Sequence, residues 1–294
     1  MPVRPRRFAR QNLADALSPG VHSAIVRETD SLLERRLAKA NEVTDIRQTN
    51  FNPFLLLITS PVYNIFSPYE VAERLQLGSS FHGDDTSFGR FAEEKILPLF
   101  GAALPAQKDR LNRALAAVWE PIDRSMEIEG HTYMMSIKAG PWTMNQSHAN
   151  GMIEKFPTVH ASTGARCMIG ITYGRYADLN NKPALVEASL GHPDWFDYLV
   201  GKDFWEFVSG VRDVHVHIFK AIREAQAQFA ERHRDETFHE RLIRNRLDIA
   251  ASLRRKFDLD KEDDFWETLF NNAFEGGDEL PQAGAAADLD TPEQ

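Results

Sequence analysis

From Ile122 to Lys138 polar and apolar residues alternate, and a period of two predicts paired β-strands. Gly130-His131 divides the run and suits a two-residue turn, because Gly takes the first central position of a II′ turn at no steric cost. That turn sets Glu129 opposite Thr132 and Asp123 opposite Lys138. Alternation then sorts the hairpin. Asp123, Ser125, Glu127, Glu129, Thr132, Met134, Ser136 and Lys138 fall on one side. Ile122, Met126, Ile128, Tyr133, Met135 and Ile137 fall on the other, which only Arg124 interrupts. The second side is expected in a core and the first at a site.

Elsewhere the period lengthens. Ala24, Ile25, Leu32, Leu33 and Leu37 predict a helix over residues 22–41. The apolar run that follows is broken by Pro53, Pro61 and Pro68 and is expected in the core. Ser67, Pro68 and Glu70 form a capping box with proline at the first helical position, opening a helix to about residue 77. Asp85 or Thr86 then caps a helix with Phe88, Phe91, Ile96 and Leu99 inward, and residues 111–120 form another. After the hairpin, Gly140-Pro141 ends the strand, and Asn145 caps a helix to about residue 156. Residues 166–173 form a buried strand stopped by Gly174, and helices are expected over 202–208, 213–234 and 237–257. The order helix, strand, strand, helix, strand predicts an α/β (α+β) domain with a mixed central β-sheet flanked by helices. Residues 1–50 read as an N-terminal helical segment, 51–257 as the main domain with its core at about 86–175 and C-terminal helices, and 258–294 as a largely disordered tail.

Composition changes this picture in two places. The formal charge of −9 is concentrated in the tail, where residues 258–294 hold 12 acidic groups against Lys261 alone. Residues 1–257 therefore carry 33 basic and 31 acidic groups, a net of +2 that permits binding to nucleic acid. A single cysteine, Cys167, excludes an internal disulfide and any cysteine zinc cluster and suits a reducing cytoplasm. With no run of ~18 apolar residues and no apolar segment after the Arg-rich start, neither a membrane span nor a signal segment is expected.

The chemistry is expected on the polar hairpin face. An aspartate beside a lysine on rigid strands is the layout of a metal-dependent nuclease site. Carboxylates hold magnesium against the phosphodiester, and the ammonium orients water or stabilises developing charge. The plainer alternative is a surface hairpin whose Asp123 and Lys138 form a cross-strand ion pair contributing under ~1 kcal/mol. Asn145, Gln146 and His148 open the next helix, where a helix N-terminus meets a phosphate or a base edge; they and Arg166 are candidate DNA contacts. The plainer role of the first three is a cap and polar first turn. Phe204, Trp205 and Phe207 have core spacing, His215 and His217 point apart on a helix, and Cys167 lies in a buried strand. The basic run from Arg232 to Arg255 is interspersed with acids and reads as a solvated face, or as a track for a DNA backbone. No P-loop or GxGxxG is present, which argues against a nucleotide-driven motor.

Five blocks in order resemble the PmeII family of type II restriction endonucleases: NPFLLL at 52–57, TSFG at 86–89, YMMSIKAGPWTMN at 133–145, GITYG at 170–174 and GKDFWEFVSG at 201–210. They span about residues 50–225. The resemblance implies a restriction-endonuclease-like core in which a strand aspartate precedes an acid-x-lysine pair, so residues 51–257 become a nuclease domain. Asp123 matches the aspartate and Lys138 the lysine, with both, Ser136 and a further acid as catalytic residues. Ser136 stands where the pattern has an acid, and a serine binds magnesium less well than a carboxylate. The second carboxylate then comes from Glu93 or Glu94 on the preceding helix, from Glu127 on the hairpin, or from Glu154 beyond the lysine. The implied protein is a cytoplasmic, Mg2+-dependent homodimer acting on double-stranded DNA, with a separate methyltransferase in the same system. A repair or structure-specific nuclease, and a non-catalytic DNA-binding or regulatory protein on a decayed core, stay open beside it.

Overall fold

The computed structural model describes residues 6–42, 53–63, 65, 67–105, 117–233, 238–257 and 266–267. Its contacts group the chain into two compact units, each discontinuous in sequence. One comprises residues 1–37 and 81–236, the other residues 38–80 and 237–294. The sequence had suggested breaks near residues 50 and 257. The grouping changes within helices α1 (Pro19–Glu42) and α3 (Pro68–Arg90).

The first unit is built on a four-stranded mixed sheet in the order β1 (Arg124–Ile128), β2 (His131–Lys138), β3 (Arg166–Ile171), β4 (Phe196–Val200). β1 and β2 are antiparallel, whereas β2, β3 and β4 run parallel. Parallel neighbours need a crossover, and helices α4 (Gln146–Thr163) and α5 (Lys182–Ser189) supply the two. With both faces covered, β3 and β4 are buried almost throughout. Phe91, Met135, Met168, Leu199, Phe204 and Val208 pack on one face. Met134, Phe156, Cys167, Ile169 and Phe196 pack on the other. Gly170 in mid-strand is required by Phe204, because an added Cβ would lie 2.2 Å from that ring. Helices α6 (Lys202–Ser209) and α7 (Val214–Arg232) follow β4.

The hairpin register corrects the expectation. Glu129 and Gly130, both with positive φ, form the turn, and Ile128 pairs with His131. Positive φ at both central residues makes this a I′ loop, one residue earlier than the expected II′ loop. Every pairing therefore shifts by two residues, which keeps the predicted faces over residues 124–138, whereas Ile122, expected beside Met126, packs with Met134 on the other face. The polar face is covered at Met134 and Ser136, whereas Glu127 near the turn stays exposed.

An N-terminal strap, absent from the expected helical segment, closes the far side of the sheet. The amides of Arg7 and Phe8 donate to Oδ2 of the buried Asp197 on β4, at 2.7 and 3.1 Å. Phe8 is then inserted edge-on against Tyr133 and stacked on Phe207, with centroids at 5.2 and 6.1 Å. Arg7 and Arg6 pair with Glu187 and Asp203.

Two helical expectations also change. Pro68 opens the helix as expected, and the Ser67 hydroxyl donates to the Glu70 side chain. Helix α3 does not stop near residue 77 but continues to Arg90, then widens into a π-helical turn, Phe91–Ile96, and a 3₁₀ turn, Leu97–Phe100. Helix α4 passes Pro157 to reach Thr163. The helix expected over 111–120 and the acidic tail lie almost wholly outside the described residues.

In the second unit, α2 (Pro53–Tyr63), α3 and α8 (Phe238–Phe257) bury Leu56, Ile65, Val71, Ile249 and Leu253. α2 was expected in the core. Only one side of it is buried, and Ile58 and Val62 are about three-quarters exposed (73% and 75%).

Candidate active site

Asp123 sits immediately before β1, anchored by its amide, which donates to the Met135 carbonyl at 2.8 Å. Its Oδ2 accepts the Ile137 amide at 2.6 Å and the Ser136 hydroxyl at 3.4 Å. Lys138, two residues further along β2 and on the same face, holds its Nζ 4.0 Å from that Oδ2. Both side chains are partly buried, at 24% and 15% exposure. In the shifted register Arg124 pairs with Met135, so Lys138 does not stand opposite Asp123, and the Ser136 that bonds Asp123 is fully buried. The Lys138 ammonium makes no hydrogen bond among the described residues, so its three donors stay available.

Helix α4 brings a third group. The Asn145 side chain accepts the His148 amide at 2.9 Å, and the Asn145 amide donates to His148 Nδ1 at 3.5 Å. This capping box makes Nδ1 an acceptor, so the neutral imidazole carries its proton on Nε2. Burial holds His148 below the ordinary histidine range, Lys138 pushes it the same way, and Asp123 opposes them in part. A protonated His148 beside Lys138 is thus disfavoured. Gln146 is engaged elsewhere: Lys182 donates to its Oε1 at 2.8 Å, and it donates to Asn150 at 2.8 Å.

The remaining candidates are scattered. Glu93, on the π-helical turn, lies 3.5 Å from the guanidinium of Arg124, whose side chain points to the opposite face of the sheet from Asp123. Glu94 is exposed on the same turn, and Glu154 is exposed on α4. Glu127 shares the face of Asp123 but lies four residues along the strand, about 13 Å away at 3.3 Å per residue, and accepts from Thr132. Arg166 starts β3 at the end of the sheet remote from Lys138, where it donates to the Tyr133 hydroxyl at 3.1 Å. Among the described residues no group of three His, Cys, Asp or Glu side chains is placed to hold a metal ion. One carboxylate with neighbouring carbonyls still suits magnesium, which keeps several waters and takes the rest of its shell from substrate phosphate.

Four of the five motif blocks meet at this edge of the sheet, and their joints are steric. Thr172 donates from its amide to the Lys138 carbonyl at 3.0 Å and from its hydroxyl to the Ala139 carbonyl at 2.6 Å. A Cβ on Gly140 would strike the Tyr173 ring at 2.3 Å, and one on Gly174 would strike Pro141 at 2.4 Å. A Cβ on Gly201 would meet the Gly174 carbonyl at 2.5 Å, while Trp205 donates to the Thr172 carbonyl at 2.7 Å. Phe88 meets Tyr173 edge-on at 6.0 Å. The blocks IKAGP, GITYG and GKDFW are therefore interlocked backbone that fixes where Lys138 ends.

A mixed four-stranded sheet flanked by helices, with an aspartate at the head of β1 beside a lysine at the end of β2, is a restriction-endonuclease-like fold. The chain belongs to the family of the type II restriction endonuclease EcoO109I, whose model matches residues 21–229. That match gives no support to the PmeII family in particular. No curated protein matches the chain. Membership makes this a nuclease with DNA as its substrate, in a class of enzymes that generally use a divalent metal. No helix among the described residues is long and apolar enough to cross a membrane.

Proposed function

We propose that this protein is a Mg2+-dependent endonuclease that hydrolyses both strands of duplex DNA at a short specific sequence. The observation that carries the reading is the partly buried Lys138 ammonium, 4.0 Å from Asp123 and without a hydrogen-bond partner among the described residues. A structural ion pair would bring the two groups into hydrogen-bond contact. Here three donors point into a site whose carboxylate is pinned by two bonds from β2.

Each residue has a stated task. Asp123 would hold the metal, with its orientation fixed by the Ile137 amide and the Ser136 hydroxyl. The ion, when bound, supplies positive charge to the pentacovalent phosphate. Lys138 donates to the attacking water and to the scissile phosphate, where negative charge develops. His148, neutral with its proton on Nε2, donates to a flanking phosphate, and Asn145 keeps it in that tautomer. Glu93 completes the carboxylate set only by leaving Arg124, so its share is set by what DNA does to that ion pair. Glu127, too distant along the strand, and Arg166, at the opposite end, serve other roles.

The homodimer follows from symmetry: two identical active sites related by the dyad of the duplex cut both strands of a symmetric site. A separate methyltransferase protecting that site, a cytoplasmic location and a place near the PmeII family complete the proposal. Ser136 in place of an acid favours the second reading, a DNA-binding protein on a decayed core. Incubating the full chain with plasmid over a magnesium titration separates them: discrete fragments support the endonuclease, a smear points to a structure-specific enzyme, and intact plasmid refutes catalysis.

A further inference from the structure

Of the five tryptophans, Trp119 and Trp205 are buried and Trp195 and Trp266 half-buried, whereas Trp142 is 77% exposed. The turn that carries it is fixed on both sides. Pro141 is buried against Gly174, and Met144 is buried with Met134 and Ala149 on the Lys138 face of the sheet. The Thr143 amide and hydroxyl both donate to the Gly140 carbonyl, at 3.3 and 2.8 Å. The Asn180 side chain donates to the Met144 carbonyl at 2.8 Å, and the Asn180 amide to the Pro141 carbonyl at 3.5 Å. A closed turn thus holds a large flat side chain out in water.

An indole offers a broad apolar face with only two side-chain torsions to order, and one N–H donor at its edge. Those properties suit contact with stacked bases and with the acceptors they show in a groove. Location supplies the occupant. Trp142 follows Lys138 by four residues, so their Cα atoms are at most about 14 Å apart, and it precedes His148 by six. His148 is itself close enough to Lys138 and Asp123 to feel their charges. A duplex whose scissile phosphate meets Lys138 borders grooves about 6 and 12 Å wide. A side chain on the turn between Lys138 and His148 therefore falls within reach of the groove beside that phosphate.

We propose that Trp142 is a DNA-contacting residue whose indole packs against the bases next to the scissile phosphate. The inference rests on the reading of the chain as a DNA-cutting enzyme. The closed turn sets the position of the indole before DNA arrives, so contact orders little besides its two torsions. Lys138 and His148 meet the backbone, which carries no sequence, whereas Trp142 meets the base pairs. Its contribution therefore falls on site DNA more than on other duplexes.

The test uses the full chain and duplexes spanning its cut site, mapped by sequencing plasmid fragment ends, with calcium in place of magnesium to keep strands intact. Trp142→Ala is expected to weaken binding to the site duplex about tenfold, the loss of one base contact, and Trp142→Phe to restore most of it. A duplex without the site should lose less. With 5-iodouracil or 5-iodocytosine at each pyrimidine in turn, near-ultraviolet light should join Trp142 to the strand at a position beside the cut, identified by mass spectrometry of the peptide. Trp142 is exposed, and unchanged thermal unfolding verifies the fold of both variants. A protein that cuts plasmid while Trp142→Ala binds and cuts as the wild type overturns this proposal alone, as does an equal loss on both duplexes, which would place the indole on the backbone. A drop in particle mass for Trp142→Ala by light scattering, with no crosslink at Trp142, overturns it in favour of a protein contact. A protein that cuts no DNA overturns the nuclease reading and this proposal with it.

Discussion

The parallel strands β2 and β3 carry a basic side chain at each end, and the two ends differ in what those groups touch. At the leading end Arg166 is bonded to the Tyr133 hydroxyl and lies over the rings of Phe8 and Tyr133, 5.8 and 5.9 Å from their centroids. Its charge is absorbed by aromatic packing. At the trailing end Lys138 has Asp123 at 4.0 Å and an ammonium that makes no hydrogen bond among the described residues. The carboxyl ends of parallel strands are where loops and helix N-termini converge, and here they bring Asn145 and His148. A basic residue on a strand is a candidate for chemistry only when its neighbours leave it something to do.

Substitutions at the two ends should break along the same line. Lys138→Ala and Asp123→Ala should each lower cleavage about a thousandfold or more while leaving thermal unfolding unchanged. Retained activity in Lys138→Ala would place the active site elsewhere. At the other end Phe8→Ala should cost about 3 kcal/mol of stability, measured by urea unfolding, with cleavage per folded molecule unaltered. Asp197→Ala, which strips a partner from the amides of Arg7, Phe8 and Tyr198, should cost about 2 kcal/mol by the same measurement. Ser136→Ala should reduce cleavage by less than about tenfold, because it removes one long hydrogen bond to Asp123. The smallest effect is expected at Cys167. Burial pushes its thiol up to about 12, so a thiol reagent at neutral pH should leave the folded protein unmodified and react only on unfolding.

The parts legible in the sequence were those fixed by local pattern. Alternation sorted the hairpin faces within the strands although the turn was one residue off, because a shift of two in pairing preserves parity; it failed for Ile122, which precedes β1 and packs with Met134. The Asn145 cap and helices α6 to α8 followed from capping chemistry and spacing. Strand β4 was missed because FDYLV is short and carries Asp197 at a fully buried position, which reads as non-strand until the strap's amides are known. α3 was broken in two on paper because glycines at 78, 83 and 89 lower helix propensity, and the helix runs through all three. The carboxylate that Ser136 lacks was illegible for another reason. Glu93 was offered as one candidate on the preceding helix, and its ion pair with Arg124, on a strand more than twenty residues later, could not be read from its own segment.

The bond from the Arg7 amide to Asp197 spans 190 residues. A ribosome adding ~5–20 residues per second needs roughly 10–40 s to make that stretch, during which the start of the chain has no β4 to dock on. Phe8 stays outside its slot between Tyr133 and Phe207 for the same interval. Nascent fragments that end before β4 therefore carry Asp123 and Lys138 on an unfinished sheet. For a cell whose own chromosome is a potential target, that ordering postpones a finished sheet beneath Asp123 and Lys138 until residue 200 of 294 has been made.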